Sequence, residues 1–227
     1  STKYKKFYKS YFLNKKNKTS FVAAKIAISK DFFTINKRNK WITNELSRKT
    51  AHLIRNSFDC ILSTSRSINI DNSLLNCRIK GLNDNKPDLF IIDLRLKLKK
   101  SLLLNHILKK RKTFIITTKF NSKKSEIYKK LGYKFIFIDS LKNRNDFKYL
   151  KKKIYKMGYS RILIESGLVF LNYLLKNKLI QDLYIFKNNT KLGKYGSNNG
   201  STNILKKISA KPLTISLNGD KLFKKEF

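Results

Sequence analysis

Short apolar runs recur along the chain, and most are separated by segments in which apolar residues have helical spacing. The runs are continuous and do not alternate with polar residues, which is typical of strands buried on both faces. Such strands alternating with amphipathic helices predict the α/β fold class, with a mainly parallel central sheet and helices on both faces. The predicted strands cover residues 21–29, 60–62, 89–92, 114–117, 135–138, 162–164, 183–186 and 213–217.

The segments outside these strands predict helices, a basic arm and a loop. Helices are expected at about 44–58, where Thr43 can provide the cap, and at 123–131, 145–157 and 167–177. Residues 1–20 mix lysine with aromatic residues at loose spacing and predict a basic arm or interdomain linker without a regular element. Residues 187–203 predict a mobile loop, and residues 21–227 a single domain.

The charge of the chain is far from balanced. It has 52 Lys and Arg against 14 Asp and Glu, a formal net charge of +38. A polyanionic partner such as nucleic acid is one explanation. The basic residues are mostly lysines spread over the whole chain together with abundant Asn, Ile, Phe and Tyr, which favours a solvated surface encoded by AT-rich codons. In either case the field attracts anionic small molecules.

The cysteines and the hydropathy pattern limit the class of protein. Cys60 and Cys77 lie far apart and have no metal-ligand spacing, so we expect neither a disulfide framework nor a metal site. No apolar run reaches the eighteen or so residues of a spanning helix, and residues 1–18 have no apolar signal-peptide region. We therefore expect a soluble cytoplasmic protein without a membrane partner.

Glu165 is the first candidate functional residue. It follows the apolar run Ile162–Ile164 and precedes Ser166 and Gly167, where a helix start could hold a phosphate with its amide groups. The alternative is that Glu165 or Ser166 only caps that helix. Lys25 lies inside an apolar strand, where its amine needs either an anion or a path to water along an edge strand.

Trp41, the only tryptophan, lies between a loop and a helix and could form part of a ligand wall, although packing is the default. Arg55 and Arg78 are notable because this chain otherwise prefers lysine, and the planar guanidinium suits bidentate phosphate binding. Asp71 could contribute a carboxylate or only cap a turn.

Several short motifs occur in order between residues 19 and 193. They are VAAKIAISKDF at 22–32, WIT at 41–43, SINIDNSLLNCR at 67–78, IDL at 92–94, IESG at 164–167 and TKLG at 190–193. In order and spacing they resemble the reductase half of the bifunctional riboflavin-biosynthesis deaminase/reductase, a family with a dihydrofolate-reductase-like fold.

This resemblance implies an NADPH-dependent reductase. The substrate would be the phosphorylated pyrimidine 5-amino-6-(5-phosphoribosylamino)uracil, whose ribosyl group accepts a hydride and becomes ribityl. Lys25, Asp71 and Glu165 would then be available to polarise the sugar or carry its proton, with no order among them. The substrate-binding residues implied are Asn39, Arg55, Leu75, Arg78 and Glu165. The cofactor-binding residues implied are Ala27, Trp41, Ser67, Asp71, Gly167, Leu168 and Val169.

The chain also departs from the family pattern. Phe32 stands where the family has a glycine, and Leu94 where a serine often lies near the cofactor, although Arg95 or Lys97 could supply charge for a 2′-phosphate. The zinc deaminase motifs do not occur, so we expect a deaminase upstream or as a separate protein. The family implies a homodimer. The alternatives are a related or inactive reductase of the same fold and, as the least favoured, a basic nucleic-acid-binding module.

Overall fold

The computed structural model describes residues 8–82, 87–118, 123–200, 205 and 210–227. The chain forms two compact units. The first unit contains Arg55–Ile164 together with the segment that ends at Phe21, and the second contains Val22–Ile54 and Glu165–Phe227. The single domain expected for 21–227 stays a prediction, because compact units of one chain can also fold together.

Seven of the ten described strands follow predicted apolar runs closely, and three were not predicted, at Phe33–Asn36, Gly196–Asn199 and Lys221–Glu226. In chain order they are β1 (Phe21–Ile28), β2 (Phe33–Asn36), β3 (Cys60–Thr64), β4 (Asp88–Ile92), β5 (Thr113–Thr117), β6 (Lys134–Phe137), β7 (Arg161–Ile164), β8 (Asp182–Lys187), β9 (Gly196–Asn199) and β10 (Lys221–Glu226).

The described helices precede the first strand or lie between the strands. In chain order they are α1 (Lys9–Asn17), α2 (Glu45–Asn56), α3 (Ser65–Asp71), α4 (Lys123–Leu131), α5 (Arg144–Lys156) and α6 (Leu168–Lys176), with 3₁₀ turns at Leu103–Lys110 and Gly193–Tyr195.

The first unit is built on a wholly parallel set of strands in the order β7-β3-β4-β5-β6. Every residue of β5 is buried, as expected for a strand without a polar face. In the core, the rings of Phe90 and Phe114 stack with centroids 4.6 Å apart, and Tyr159 meets Phe90 edge-on at 4.9 Å. Aromatic packing of this kind stabilises the layer from which α3 and the following loops project.

In the second unit, β1 and β8 are parallel and β10 pairs with β8 in the antiparallel direction. Strands β2 and β9 form a separate antiparallel ribbon. Gly196 is required in this ribbon, because a Cβ atom there would lie 2.3 Å from the ring of Phe33.

The strand predicted at 213–217 was wrong. Leu217 is buried, but Leu213 and Ile215 are 40% and 44% exposed, and the segment makes only isolated bridges at Pro212 and Leu217. Asn218 and Gly219 both have positive φ, at 48° and 89°, and turn the chain directly into β10. The apolar residues of the segment therefore hold a turn in place. The strand that pairs with β8 is β10, whose sequence is more polar.

Three further expectations need correction. Residues 9–17, expected to lack an element, form α1, and Asn14 anchors the chain by donating to the carbonyls of Thr19 and Ser160 at 2.7 and 3.2 Å. Thr43 does not cap α2, because Asn44 Oδ1 accepts from the amide of Ser47 at 2.9 Å. The predicted loop 187–203 contains β9, and its residues 201–203 lie outside the described part.

The chain lacks a helix both long and apolar enough to cross a bilayer, as far as its described residues show.

Candidate active site

An ion pair between Lys25 and Glu165 is the central feature of the second unit. Lys25 Nζ donates to Glu165 Oε2 at 3.1 Å, and the two side chains are only 17% and 8% exposed. A largely buried ammonium group requires an opposite charge nearby. The carboxylate of Glu165 compensates the charge of Lys25 inside β1. The contact brings together two of the three predicted catalytic residues, which are 140 positions apart in sequence.

The start of α6 lies directly after this acid. Gly167 is the N-cap residue and provides no side-chain cap, and the first turn of the helix contains no acidic residue. The Oγ atom of Ser166 is buried and has no hydrogen-bond partner among the described residues. Because the first amides of a helix have no partner within it, this position can receive an anion.

Leu168 and Val169 differ in exposure at this helix start. Val169 is 78% exposed, whereas Leu168 is buried at 3%. Gly200 packs against Leu168, since a Cβ on Gly200 would lie at an ordinary contact distance of 3.5 Å from Leu168 Cδ2, and the Gly200 amide donates to the carbonyl of Phe32 at 2.8 Å. Leu168 can therefore contribute to the predicted cofactor site only through its backbone.

Asp31 organises the loops after β1 and β8, a role that the sequence analysis did not assign. Its carboxylate accepts from Ser29 Oγ at 2.6 Å and from the amides of Leu192 and Gly193 at 3.1 and 2.9 Å. Burial by itself would raise the pKa of Asp31, but these hydrogen bonds outweigh it and lower the pKa to about 2. The motif VAAKIAISKDF at 22–32, which contains Asp31, offered a clue to this position.

Other predicted ligand residues of the second unit lie on β1 and before α2. Ala27 is half-buried and packs against the cluster that contains Ala51 and Phe186, two residues beyond Lys25 on the same strand. Asn39 is exposed, and its Oδ1 accepts from the amide of Trp41 at 3.3 Å. Trp41 is 45% exposed, with the guanidinium of Arg48 4.9 Å from its ring centroid, so packing accounts for only part of the indole surface.

In the first unit, Ser67 and Asp71 both lie on α3. Thr64 caps this helix by accepting from the amide of Ser67 at 3.3 Å. Asp71 is the last helical residue and is exposed, in contrast to the buried Glu165. Asp93, the acid of the IDL motif, is buried and accepts from Ser65 Oγ at 3.0 Å, so it holds the start of α3.

Arg55 and Arg78 meet at Asn76, which the sequence analysis did not select. Arg55 Nη1 donates to the Asn76 carbonyl at 3.1 Å, and Arg78 Nη1 donates to Asn76 Oδ1 at 2.7 Å. The neighbouring Leu75 is buried and has a positive φ of 48°. The predicted phosphate-binding arginines are thus brought together by one asparagine in a strained loop, a relationship that no sequence pattern indicates.

The candidate residues divide between the two units. Lys25, Ala27, Asn39, Trp41, Glu165 and the start of α6 belong to the second, and Arg55, Ser67, Asp71, Leu75 and Arg78 to the first. Their assignment to substrate and cofactor stays a prediction. Among the residues that the structure describes, no group of three or more His, Cys, Asp or Glu could hold a metal ion.

A family model described as the RibD C-terminal domain matches residues 20–212. The chain belongs to this family. The chain is 31% identical over 159 residues to 5-amino-6-(5-phosphoribosylamino)uracil reductase of Buchnera aphidicola subsp. Acyrthosiphon pisum, covering 65% of this chain and 74% of the relative.

The same domain is 27% identical over 205 residues to riboflavin biosynthesis protein RibD of Buchnera aphidicola subsp. Baizongia pistaciae, covering 84% of this chain and 54% of the relative. It therefore spans about half the length of the RibD relatives it matches.

A solved structure confirms the predicted fold class. The deaminase/reductase of Thermotoga maritima superposes on this RibD C-terminal domain with a TM-score of 0.77 at 19% identity, covering 98% of this chain and 60% of that one. The predicted α/β class with mainly parallel strands is therefore confirmed, and the chain shares its fold with that deaminase/reductase.

Proposed function

We propose that this chain reduces the ribosyl group of 5-amino-6-(5-phosphoribosylamino)uracil to a ribityl group with NADPH, as a step of riboflavin biosynthesis. The observation that carries the proposal is the buried Lys25–Glu165 pair immediately before the helix start at Gly167. It combines a proton-carrying pair with an anion-binding helix end. The substrate is taken from the name of the 31% identical Buchnera reductase.

The start of α6 fits a phosphate group of NADPH. The orphaned hydroxyl of Ser166 and the first amides of the helix offer donors, and no acid in the first turn repels an anion. NADPH, when bound, supplies the hydride that reduces the former anomeric carbon of the ribose. The backbone of Leu168 and Val169 would hold the cofactor here, and Trp41 offers an exposed ring for a planar group.

Lys25 and Glu165 are better suited than Asp71 to handle the proton of this reaction. Reduction of the ribosyl group adds a hydride to the former anomeric carbon and breaks the bond between that carbon and the ring oxygen. The released oxygen needs a proton, which Lys25 can donate while Glu165 keeps the amine oriented. Asp71 is exposed, whereas the pair is largely shielded from bulk water. We therefore assign the proton donation to Lys25 and the binding of sugar hydroxyl groups to Glu165.

Arg55 and Arg78 suit the phosphate of the substrate. Both are held by Asn76, so their guanidinium groups are partly immobilised before a ligand arrives. Preorganised charged donors lose less conformational entropy on binding. The net charge of +38 adds a long-range attraction for a substrate and a cofactor that are both anionic.

The decisive experiment follows NADPH absorbance with the whole purified chain. Oxidation is expected only when 5-amino-6-(5-phosphoribosylamino)uracil is present, with a slower reaction for the same compound without its phosphate. No NADPH consumption, combined with RNA binding that survives moderate salt, would replace the reductase with the nucleic-acid-binding alternative.

Three other expectations stay predictions. A homodimer is tested by light scattering on the purified chain, and a zinc deaminase upstream or as a separate protein by the sequence of the intact gene product. A cytoplasmic location agrees with Cys60 and Cys77, which are both buried free thiols.

A further inference from the structure

Arg111 is a buried arginine that holds the loop before Arg78. It precedes β5 and is only 7% exposed. Its Nη1 atom donates to the carbonyls of Leu75 and Pro87 at 2.6 and 3.2 Å, and its Nη2 atom donates to the carbonyl of Leu74. One guanidinium group thus fastens two consecutive carbonyls of the loop to the chain just before β4.

The contacts of Arg111 adjoin those of the two predicted phosphate ligands. Arg111 binds the carbonyls of Leu74 and Leu75, and the next residue, Asn76, binds Arg55 and Arg78. Leu75 has a positive φ of 48°, a conformation that a branched residue adopts only when its surroundings impose it. The hydrogen bond from Arg111 to the Leu75 carbonyl is one contact that holds this backbone in place.

Only an arginine can make this set of contacts. The planar fork presents several donors in fixed directions, whereas a lysine ammonium is a compact charge on a flexible stem. Within the described residues, all hydrogen bonds of Arg111 go to backbone carbonyls and no carboxylate forms an ion pair with it. Its role is therefore to hold backbone.

The positive charge of Arg111 also favours the binding of an anionic ligand. Burial lowers the pKa of Arg111 to about 10. The negative charge of Asp88 opposes this shift, while the positive charge of Arg55 adds to it, so the two guanidinium groups repel each other. Arg111 nevertheless remains protonated at neutral pH. A bound phosphate would relieve the repulsion around the loop.

We propose that Arg111 is a positioning residue for the substrate phosphate: it fixes the Leu74–Asn76 backbone so that Asn76 presents Arg55 and Arg78 together. This inference rests on the proposed function. Arg111 itself does not need to touch the substrate, since it acts through the three carbonyls that it binds.

The test compares Arg111→Lys with Arg161→Lys by titration calorimetry. Arg161 is a matched control in the same unit, since its guanidinium lies 4.9 Å from the ring of Phe58 and it has no predicted ligand role. For Arg111→Lys, the Kd for ribose 5-phosphate is expected to rise on the order of tenfold. This is the loss expected when one charged contact to the phosphate is misplaced. The Kd for NADP⁺ should stay within about twofold of the wild type, and Arg161→Lys should change neither value.

An unchanged Kd for ribose 5-phosphate in Arg111→Lys, or an equal loss for both ligands, overturns the proposal. If circular dichroism shows that Arg111→Lys is unfolded, Leu74→Gly loosens the same backbone while keeping Arg111, and the same selective loss is expected. These titrations do not depend on turnover. A wild type that binds ribose 5-phosphate but reduces no pyrimidine refutes the proposed reaction while the role of Arg111 is still decided by its own Kd.

Discussion

The ammonium group of Lys25 lies 3.1 Å from the carboxylate of Glu165, and both side chains are largely withdrawn from solvent. Removing one partner of such a pair leaves a buried charge without compensation, so the two residues act as a unit. Their position next to the start of α6 places the pair beside the proposed site of the cofactor phosphates.

Glu165→Gln is expected to lower kcat about a hundredfold, within the range for loss of an acid–base group, because the amide cannot stabilise the Lys25 ammonium or accept a proton. The near-isosteric side chain should leave the circular dichroism spectrum unchanged. The control is Glu45→Gln, which removes an exposed acid 2.9 Å from Lys49 and should retain full activity. Normal turnover of Glu165→Gln would reduce Glu165 to a structural partner of Lys25.

Arg78→Ala is expected to raise the KM for the phosphorylated pyrimidine about tenfold or more, with little change in the KM for NADPH. The reason is loss of a charged contact to the substrate phosphate at a loop that Asn76 otherwise keeps in place. Steady-state kinetics with each ligand varied in turn measures both values. Arg144→Ala, at an exposed position of α5, is the charge-matched control. Equal losses for both ligands would contradict the assignment of Arg78 to the substrate.

Gly167→Asp separates the stability of α6 from its ability to bind an anion. Gly167 has φ −68° and ψ 167°, which any residue can adopt, and aspartate is a favourable N-cap. The variant should therefore raise Tm slightly, while its carboxylate repels the cofactor phosphates and raises the KM for NADPH about tenfold. Gly167→Asn is the neutral control, which should cap the helix without weakening the binding of NADPH. An unchanged KM in Gly167→Asp would place the phosphates elsewhere.

Asp31→Asn tests the contribution of the loop anchor to stability. The pKa of Asp31 is lowered from 3.8 to about 2, so the carboxylate stabilises the fold above pH 4 and this contribution is lost as the pH falls toward 2. The Tm difference between wild type and Asp31→Asn should accordingly be largest above pH 4 and shrink below it. Thermal melts from pH 5 to pH 2 provide the measurement, with the exposed Asp139→Asn as control. A Tm difference independent of pH would show that the charge of the Asp31 carboxylate does not contribute to stability.

The sequence predicted most of the parallel strands because continuous apolar runs such as those of β4 and β5 can be buried only on both faces. It failed at 213–217, where the same kind of apolar content fastens a turn, since local pattern cannot tell which of two neighbouring segments will find a pairing partner. It also missed α1, whose few apolar residues gave no clear helical period and which is anchored through Asn14 to distant carbonyls.

The order of short motifs was sufficient to indicate the reductase family and to select Lys25, Arg55, Arg78 and Glu165. Only the tertiary structure paired Lys25 with Glu165 and joined the two arginines through Asn76. Residue types and their spacing along the chain determine which local elements form, because apolar burial and backbone preference act over a few positions. A contact between residues far apart in sequence, such as Lys25 with Glu165, depends on how the strands are ordered, and the conformation of an irregular loop such as that of Asn76 depends on what packs against it. Both are decided only when the chain has folded.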